Sequence, residues 1–117
     1  MTSFKRGDVI LVPFPFTDLS AVKRRPALVI SIDDYNRGTG DVVIAQITSK
    51  VDSPARPGDH AIGRWKEAGL VAPSLARSRV TTLHASIVLR QLGAMPATEM
   101  ALIDAAIGLA LGLRRSA

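Results

Sequence analysis

Apolar residues along the chain fall into short blocks set apart by glycine, proline and small polar residues. The first block, 9–14 (VILVPF), is apolar at odd and even positions alike. That pattern predicts a strand covered on both faces, entered through a Gly7-Asp8 turn. Pro13 and Pro15 cannot donate to a ladder, so this strand is expected to be an edge or to leave the sheet there. A small polar loop (TDLSAVKR) follows, then a second strand over 25–32 (RPALVISI), with Pro26 tolerated at its start. The run DDYNRGTGD reads as turn chemistry throughout. A third strand, 41–49 (DVVIAQITS), is rich in β-branched residues.

The loop VDSPARPGDH leads into HAIGRWKEAGL, which reads as a short strand followed by one helical turn ending at Gly69. SLARSRVTTLH predicts a long strand over 74–84, and SIVLRQLG a short strand or extended link. The last block changes period. Leu102, Ile103, Ala106, Ile107 and Ala110 recur at three- and four-residue spacing, predicting a helix over 97–113 with one packing face. Pro96 or Thr98 starts it, Glu99 suits its positive end, and Arg114 and Arg115 suit its negative end. Short strands followed by a terminal helix imply a mainly β fold: a small, strongly curved antiparallel barrel with a helix docked on it.

With 117 residues, 47% of them apolar, the chain can form one domain, 1–117, around a single core. It contains no cysteine, which removes disulfides and thiolate metal sites and suits a cytoplasmic location. No apolar run reaches the length that spans a bilayer, and no leader is read at the start. Fifteen Lys and Arg against ten Asp and Glu leave a net charge of +5. From Ala61 onward Arg64, Lys66, Arg77, Arg79, Arg90, Arg114 and Arg115 face only Glu67, Glu99 and Asp104. Such a balance favours an anionic partner, nucleic acid or an acidic protein tail.

Standard catalytic signatures are absent. His60 and His84 lack metal-ligand spacing, no phosphate-binding glycine loop or nucleophile elbow occurs, and no metal or other cofactor is implied. Asp33 and Asp34 are adjacent, so on a strand they would diverge; turn capping is the better reading. The sharper feature is the cluster Lys23-Arg24-Arg25 before Pro26. Proline biases the preceding residue toward extended geometry. Arg25 therefore has a stiff root from which its planar fork can clamp a phosphate through two hydrogen bonds. Lys23 and Arg24, on the loop, supply attraction without positioning. Thr48, Ser49 and Lys50 end the third strand, where a hydroxyl can donate to a phosphate oxygen. Arg77 and Arg79, two apart on a strand, share a face and form a second grip.

The segment KRGDVILVPFPFTDLSAVKRRPALVIS, followed by VVIAQITS and SLARSRVTTLHASIVLRQLG, resembles the MazF/PemK family of toxin endoribonucleases over nearly the whole chain. The resemblance implies an SH3-like barrel with a C-terminal helix, assembled as a homodimer. It also implies an enzyme that cuts single-stranded RNA without metal and is neutralised by an antitoxin with an acidic tail. Arg25 matches the family's catalytic arginine and Thr48 its catalytic threonine or serine. In the family reaction the substrate's own 2′-hydroxyl attacks the adjacent phosphorus, leaving a 2′,3′-cyclic phosphate and a 5′-hydroxyl. One position departs: some members carry an acidic residue where His84 ends RVTTLH, so His84 is a candidate acid or base in its place. Two other functions fit the same fold: a CcdB-like gyrase poison, and a catalytically silent RNA-binding barrel. The ending GLRRSA lacks the aromatic terminus expected of the first. An aromatic share of 4% leaves few stacking platforms for a general single-strand binder.

Overall fold

In the computed structural model, which describes residues 3–14, 23–52 and 56–113, the apolar blocks become strands of one sheet. They are β1 (Asp8–Phe14), β2 (Lys23–Val29), β3 (Asp41–Thr48), β4 (His60–Ile62), β5 (Ser74–His84) and β6 (Arg90–Ala94). Helix α1 (Asp33–Thr39) joins β2 to β3, a 3₁₀ turn (Ala85–Ile87) joins β5 to β6, and α2 (Ala97–Leu111) follows β6. The strand order is β4-β5-β3-β2-β1-β6, and every neighbouring pair is antiparallel.

The double parity of β1 has a direct counterpart. Val9, Leu28, Ala45 and Ile47 pack on one face with Ile103 and Ile107 of α2. Ile10, Val12, Ala27, Val29, Val42, Ile44 and Leu83 form a second cluster, with Phe4, Ile87 and Val88 packed against it. Successive strand residues alternate sides, so β1, β2 and β3 each supply both clusters. Each fully buried Ile, Leu or Val among them contributes about 1.5–3 kcal/mol.

β1 is not an edge. It lies between β2 and β6, and Pro13 is accommodated by where the β6 ladder stops; Pro15 lies outside the described residues. The β6 ladder ends at Leu11↔Arg90, and Leu11 O accepts from Leu89 N at 2.8 Å. Pro13, two residues on, turns its donor-less nitrogen to the same side, beyond that ladder's end. Pro26 stands opposite Leu11, just before the β2–β3 ladder begins at Ala27↔Gln46.

The ends of the sheet are drawn together. After β4 the chain makes one helical turn, with Ala68 N bonded to Arg64 O at 3.1 Å, and then crosses β6. A Cβ on Gly69 would lie 2.2 Å from Leu92 O, and one on Gly93 would lie 2.4 Å from Ala68 O. Backbone touches backbone there, and only glycine fits. This contact between the segment following one edge strand and the other edge strand gives the sheet its barrel-like curl.

Two expectations need correction. DDYNRGTGD is a helix, α1, rather than a turn. Asp33 and Asp34 occupy its first turn, Arg37 its last, and Gly40 closes it in the left-handed region at φ 75°. Its buried Asn36 donates to Phe4 O at 2.9 Å and is also bonded by the Ser31 hydroxyl. Asp33 accepts from Arg6 N at 3.0 Å, so its carboxylate ties α1 to the chain entering β1. In α2, the helix stops at Leu111 because Gly112 adopts φ 72° and turns its N–H back to Gly108 and Leu109. Of the predicted face, Ile103 and Ile107 are buried, whereas Leu102 is 55% exposed. Arg114 and Arg115 lie outside the described residues.

A buried carboxylate fastens α2 to the β4 side. Glu99, 6% exposed, meets His60 Nε2 at 2.8 Å and accepts from Arg64 N at 2.7 Å. Burial is the largest single influence on this carboxyl and raises its pKa. The His60 hydrogen bond, the Arg64 N–H, the charge of His60 and the Gly63 N–H together outweigh it, so the pKa lies below the ordinary value.

Candidate functional site

Strand β2 begins with Lys23 and Arg24 exposed, followed by Arg25 partly buried. Arg25 pairs across to Val12, and its guanidinium carbon lies 5.0 Å from the centroid of the Phe14 ring. The ring adds a cation–π attraction. Arg25 Nε is buried without a hydrogen-bond partner. Proline rigidity on one side and an aromatic face on the other thus hold a guanidinium with unused donor capacity.

Arg25 opens onto a cavity of about 320 Å³. Its apolar floor is Val12, Ala27 and Ile44, and its polar groups are Arg25, Gln46, Arg79 and Thr81. Gln46 and Thr81 escaped the sequence reading. The signal for Gln46 was present, a polar residue interrupting the apolar run VVIAQIT; that for Thr81 was not, since threonine is ordinary in strands. The arrangement offers two cations and neutral hydrogen-bonding groups above an apolar floor, suited to an anion attached to a flat or apolar body.

Thr48 is buried, 6% exposed, at the end of β3. It does not line the cavity, but it shares a face with Gln46. The β2–β3 ladder runs Ala27↔Gln46, Leu28↔Ala45, Val29↔Ile44 and ends there; by strand alternation Arg25, two before Ala27, and Thr48, two after Gln46, fall on the same face of the sheet. The Thr48 Oγ1 accepts from Lys50 N at 3.2 Å. Its own proton has no acceptor among the described residues. Ser49 and Lys50 follow it, both exposed.

On β5 the two predicted arginines differ. Arg79 is exposed and lines the cavity. Arg77 is only 8% exposed, and its Nε is buried and unpartnered. Between the pairs Ile47↔Ala76 and Ala45↔Val80 the register shifts, so Arg77, Ser78 and Arg79 together stand opposite Gln46.

His84 lies apart. It ends β5, pairs with Asp41, and caps the 3₁₀ turn, its Nδ1 accepting from Ser86 N at 3.1 Å. It lines a second cavity, of about 710 Å³, with Arg37 and Arg90, and is not among the described residues lining the Arg25 cavity. Among the described residues no group of three or more His, Asp or Glu is placed to hold a metal ion. No helix among them is long and apolar enough to cross a membrane.

Residues 5–111 match the model of the PemK-like, MazF-like toxins of type II toxin-antitoxin systems. The chain belongs to this family. Its fold agrees: an endoribonuclease from a mycobacterial species is 26% identical, with 99% of this chain and 98% of that one covered and a TM-score of 0.77. A mycobacterial endoribonuclease solved in complex with its cognate antitoxin is 24% identical over 97% of this chain and 100% of that one, with a TM-score of 0.79. The MazE-MazF structure (Form-III) from Deinococcus radiodurans gives 25% identity over 95% and 98%, with a TM-score of 0.76. No curated protein matches the chain. As a PemK/MazF-type toxin, the chain carries the family's sheet and terminal helix, as the resemblance implied.

Proposed function

We propose that the chain is a metal-independent endoribonuclease that cuts single-stranded RNA and is neutralised by a partner antitoxin. The observation that carries this reading is Arg25: a guanidinium mounted between Pro26 and the Phe14 ring, with a buried, unused Nε, at the mouth of a cavity. Two solved neighbours, a mycobacterial endoribonuclease alone and one in complex with its cognate antitoxin, point the same way.

The chemistry asks little of the protein, because the RNA supplies the nucleophile. The ribose 2′-oxygen attacks the adjacent phosphorus, the bond to the 5′-oxygen breaks, and the products are a 2′,3′-cyclic phosphate and a 5′-hydroxyl. The proton lost from the 2′-hydroxyl passes to solvent or a neighbouring acceptor, and the leaving 5′-oxygen takes one up. Arg25 stabilises the charge that develops on the non-bridging oxygens. A guanidinium holds its protons tightly, so Arg25 serves as an electrostatic clamp rather than as a proton donor. Thr48 donates its free hydroxyl proton to the same phosphate. Lys23, Arg24, Ser49, Lys50 and Arg79 draw in and hold the flanking strand. His84, in a separate cavity, is the weaker candidate for acid–base work.

The toxin acts as a homodimer in the cytoplasm, where mRNA is its substrate, and an acidic antitoxin tail competes for the same cations. Purified toxin is expected to cut a single-stranded RNA in the presence of a chelator. Replacing the ribose at the cut site by deoxyribose should stop the reaction at that bond. Intact RNA with antitoxin-free protein refutes the reading. Capture of gyrase subunits without RNA cleavage would favour the poison, and salt-sensitive binding without cleavage the silent barrel.

A further inference from the structure

Arg77 is the least explained charge in the molecule. Its guanidinium cannot escape burial by losing a proton, since arginine stays charged at any accessible pH. Yet the residue is 8% exposed, its Nε is buried without a hydrogen bond, and no carboxylate among the described residues pairs with it. A guanidinium whose Nε is buried and unbonded leaves the desolvation of that donor uncompensated in the free protein. Such a residue is readily understood if its anion arrives with a ligand.

The backbone around it is irregular in a way that serves a site. Between Ala76 and Val80, three residues of β5 span the interval that Gln46 alone fills on β3. Bulges of this kind re-aim side chains. The two extra residues leave the alternation intact. Leu75, opposite Thr48, and Arg79, on the cavity wall, have the same parity as Arg77. Arg77 therefore belongs to the face that carries Thr48, Gln46 and Arg25. Arg25 stands on β2 and Arg77 on β5, the two strands that flank β3, about 10 Å apart at the usual inter-strand spacing. They are the two residues with buried, unpartnered side-chain nitrogens among those described.

We infer that Arg77 is a positioning residue for the RNA strand. It binds a phosphate other than the one at Arg25, so the backbone is pinned on both sides of Thr48 and the cut bond is held in register. This inference rests on the ribonuclease reading and adds the second phosphate contact. It also assigns a cost: without RNA, the buried Nε of Arg77 has no hydrogen-bond partner among the described residues.

The test compares wild type with Arg77→Met, which keeps length without charge, and Arg77→Lys, which keeps charge without the fork. Each is titrated with a single-stranded oligonucleotide carrying one deoxyribose at the cut position, across a range of salt, and melted without RNA. Arg77→Met should bind at least tenfold more weakly, with the salt slope reduced by about 0.7, the share of one phosphate contact on a single strand. It should melt at or above the wild-type temperature. Arg77→Lys should recover part of the affinity and the full slope. Unchanged affinity and slope in Arg77→Met overturn the inference, as does a lower melting temperature in both variants with affinity lost equally, which marks a structural arginine. Arg25→Ala run alongside separates the two levels. If Arg25→Ala cuts RNA like wild type, the ribonuclease site itself is misplaced. If Arg25→Ala is inactive while Arg77→Met behaves as wild type, only the role of Arg77 falls.

Discussion

Replacing Glu99 by alanine tests how α2 is held against the sheet. The carboxylate is 6% exposed and receives His60 Nε2 at 2.8 Å and Arg64 N–H at 2.7 Å. Truncation removes two hydrogen bonds to a charged group, each contributing about 1.5–3 kcal/mol. It also leaves the Arg64 N–H without its acceptor. Water entering beside the partly exposed His60 recovers some of this, so the net loss is set at about 3 kcal/mol. With an unfolding entropy of about 2.1 cal/mol/K per residue, that loss lowers the melting temperature by roughly 12 °C. Glu99→Gln keeps the shape and one acceptor, and should lose about half as much. The pH dependence has a definite sign. The folded pKa of Glu99 lies below its ordinary value of 4.5, so the ionised carboxylate stabilises the fold fully above the ordinary glutamate range. That contribution disappears as pH falls through the depressed folded pKa. Thermal unfolding followed by circular dichroism between pH 7 and pH 3 should show the gap between wild type and Glu99→Gln closing toward the acid end. A gap that stays constant with pH, or an alanine variant melting within about 2 °C of wild type, would refute the reasoning.

Three further outcomes follow from the same geometry. Gly93→Ala drives a Cβ to 2.4 Å from Ala68 O, and backbone on both sides leaves nothing to yield; the urea midpoint should fall by the equivalent of about 3 kcal/mol or more. Phe14→Leu removes the ring 5.0 Å from the Arg25 guanidinium, and single-turnover RNA cleavage should slow about two- to fivefold, the worth of an exposed cation–π contact. Thr48→Val conserves shape and removes the hydroxyl, and should cut RNA about ten- to a hundredfold more slowly, with a melting temperature lowered by only about 2–6 °C, the worth of the bond it accepts from Lys50 N.

Local signals carried the strands. The double parity of 9–14, the β-branched run of 41–49 and the long strand at 74–84 all appear where pattern places them, since side-chain alternation is a property of neighbours in sequence. Arg25 was legible for the same reason: its stiffness comes from the next residue, Pro26. What could not be read depends on residues far apart. α1 forms from a run with two glycines because Asn36 is anchored on Phe4, 32 positions away, and such tertiary bonds override weak helix propensity. The Glu99–His60 contact joins positions 39 apart. The contact of Gly69 with Leu92 that curls the sheet, and the register shift that sets Arg77 and Arg79 opposite Gln46, exist only once strands pair. The proline rule marked the right point, since β1 leaves its β6 ladder after Leu11 and runs on to Phe14 paired with β2.

The central claim is that the Arg25 fork stabilises a phosphate on which the ribose itself acts. Its most direct test is the single-turnover cleavage rate of a short RNA, measured with chelator present, for wild type and Arg25→Ala of equal melting temperature. The account predicts a loss of about a hundredfold or more, with 2′,3′-cyclic phosphate ends on whatever product forms. An Arg25→Ala protein cutting within about threefold of wild type, well short of one such interaction's worth, would contradict it.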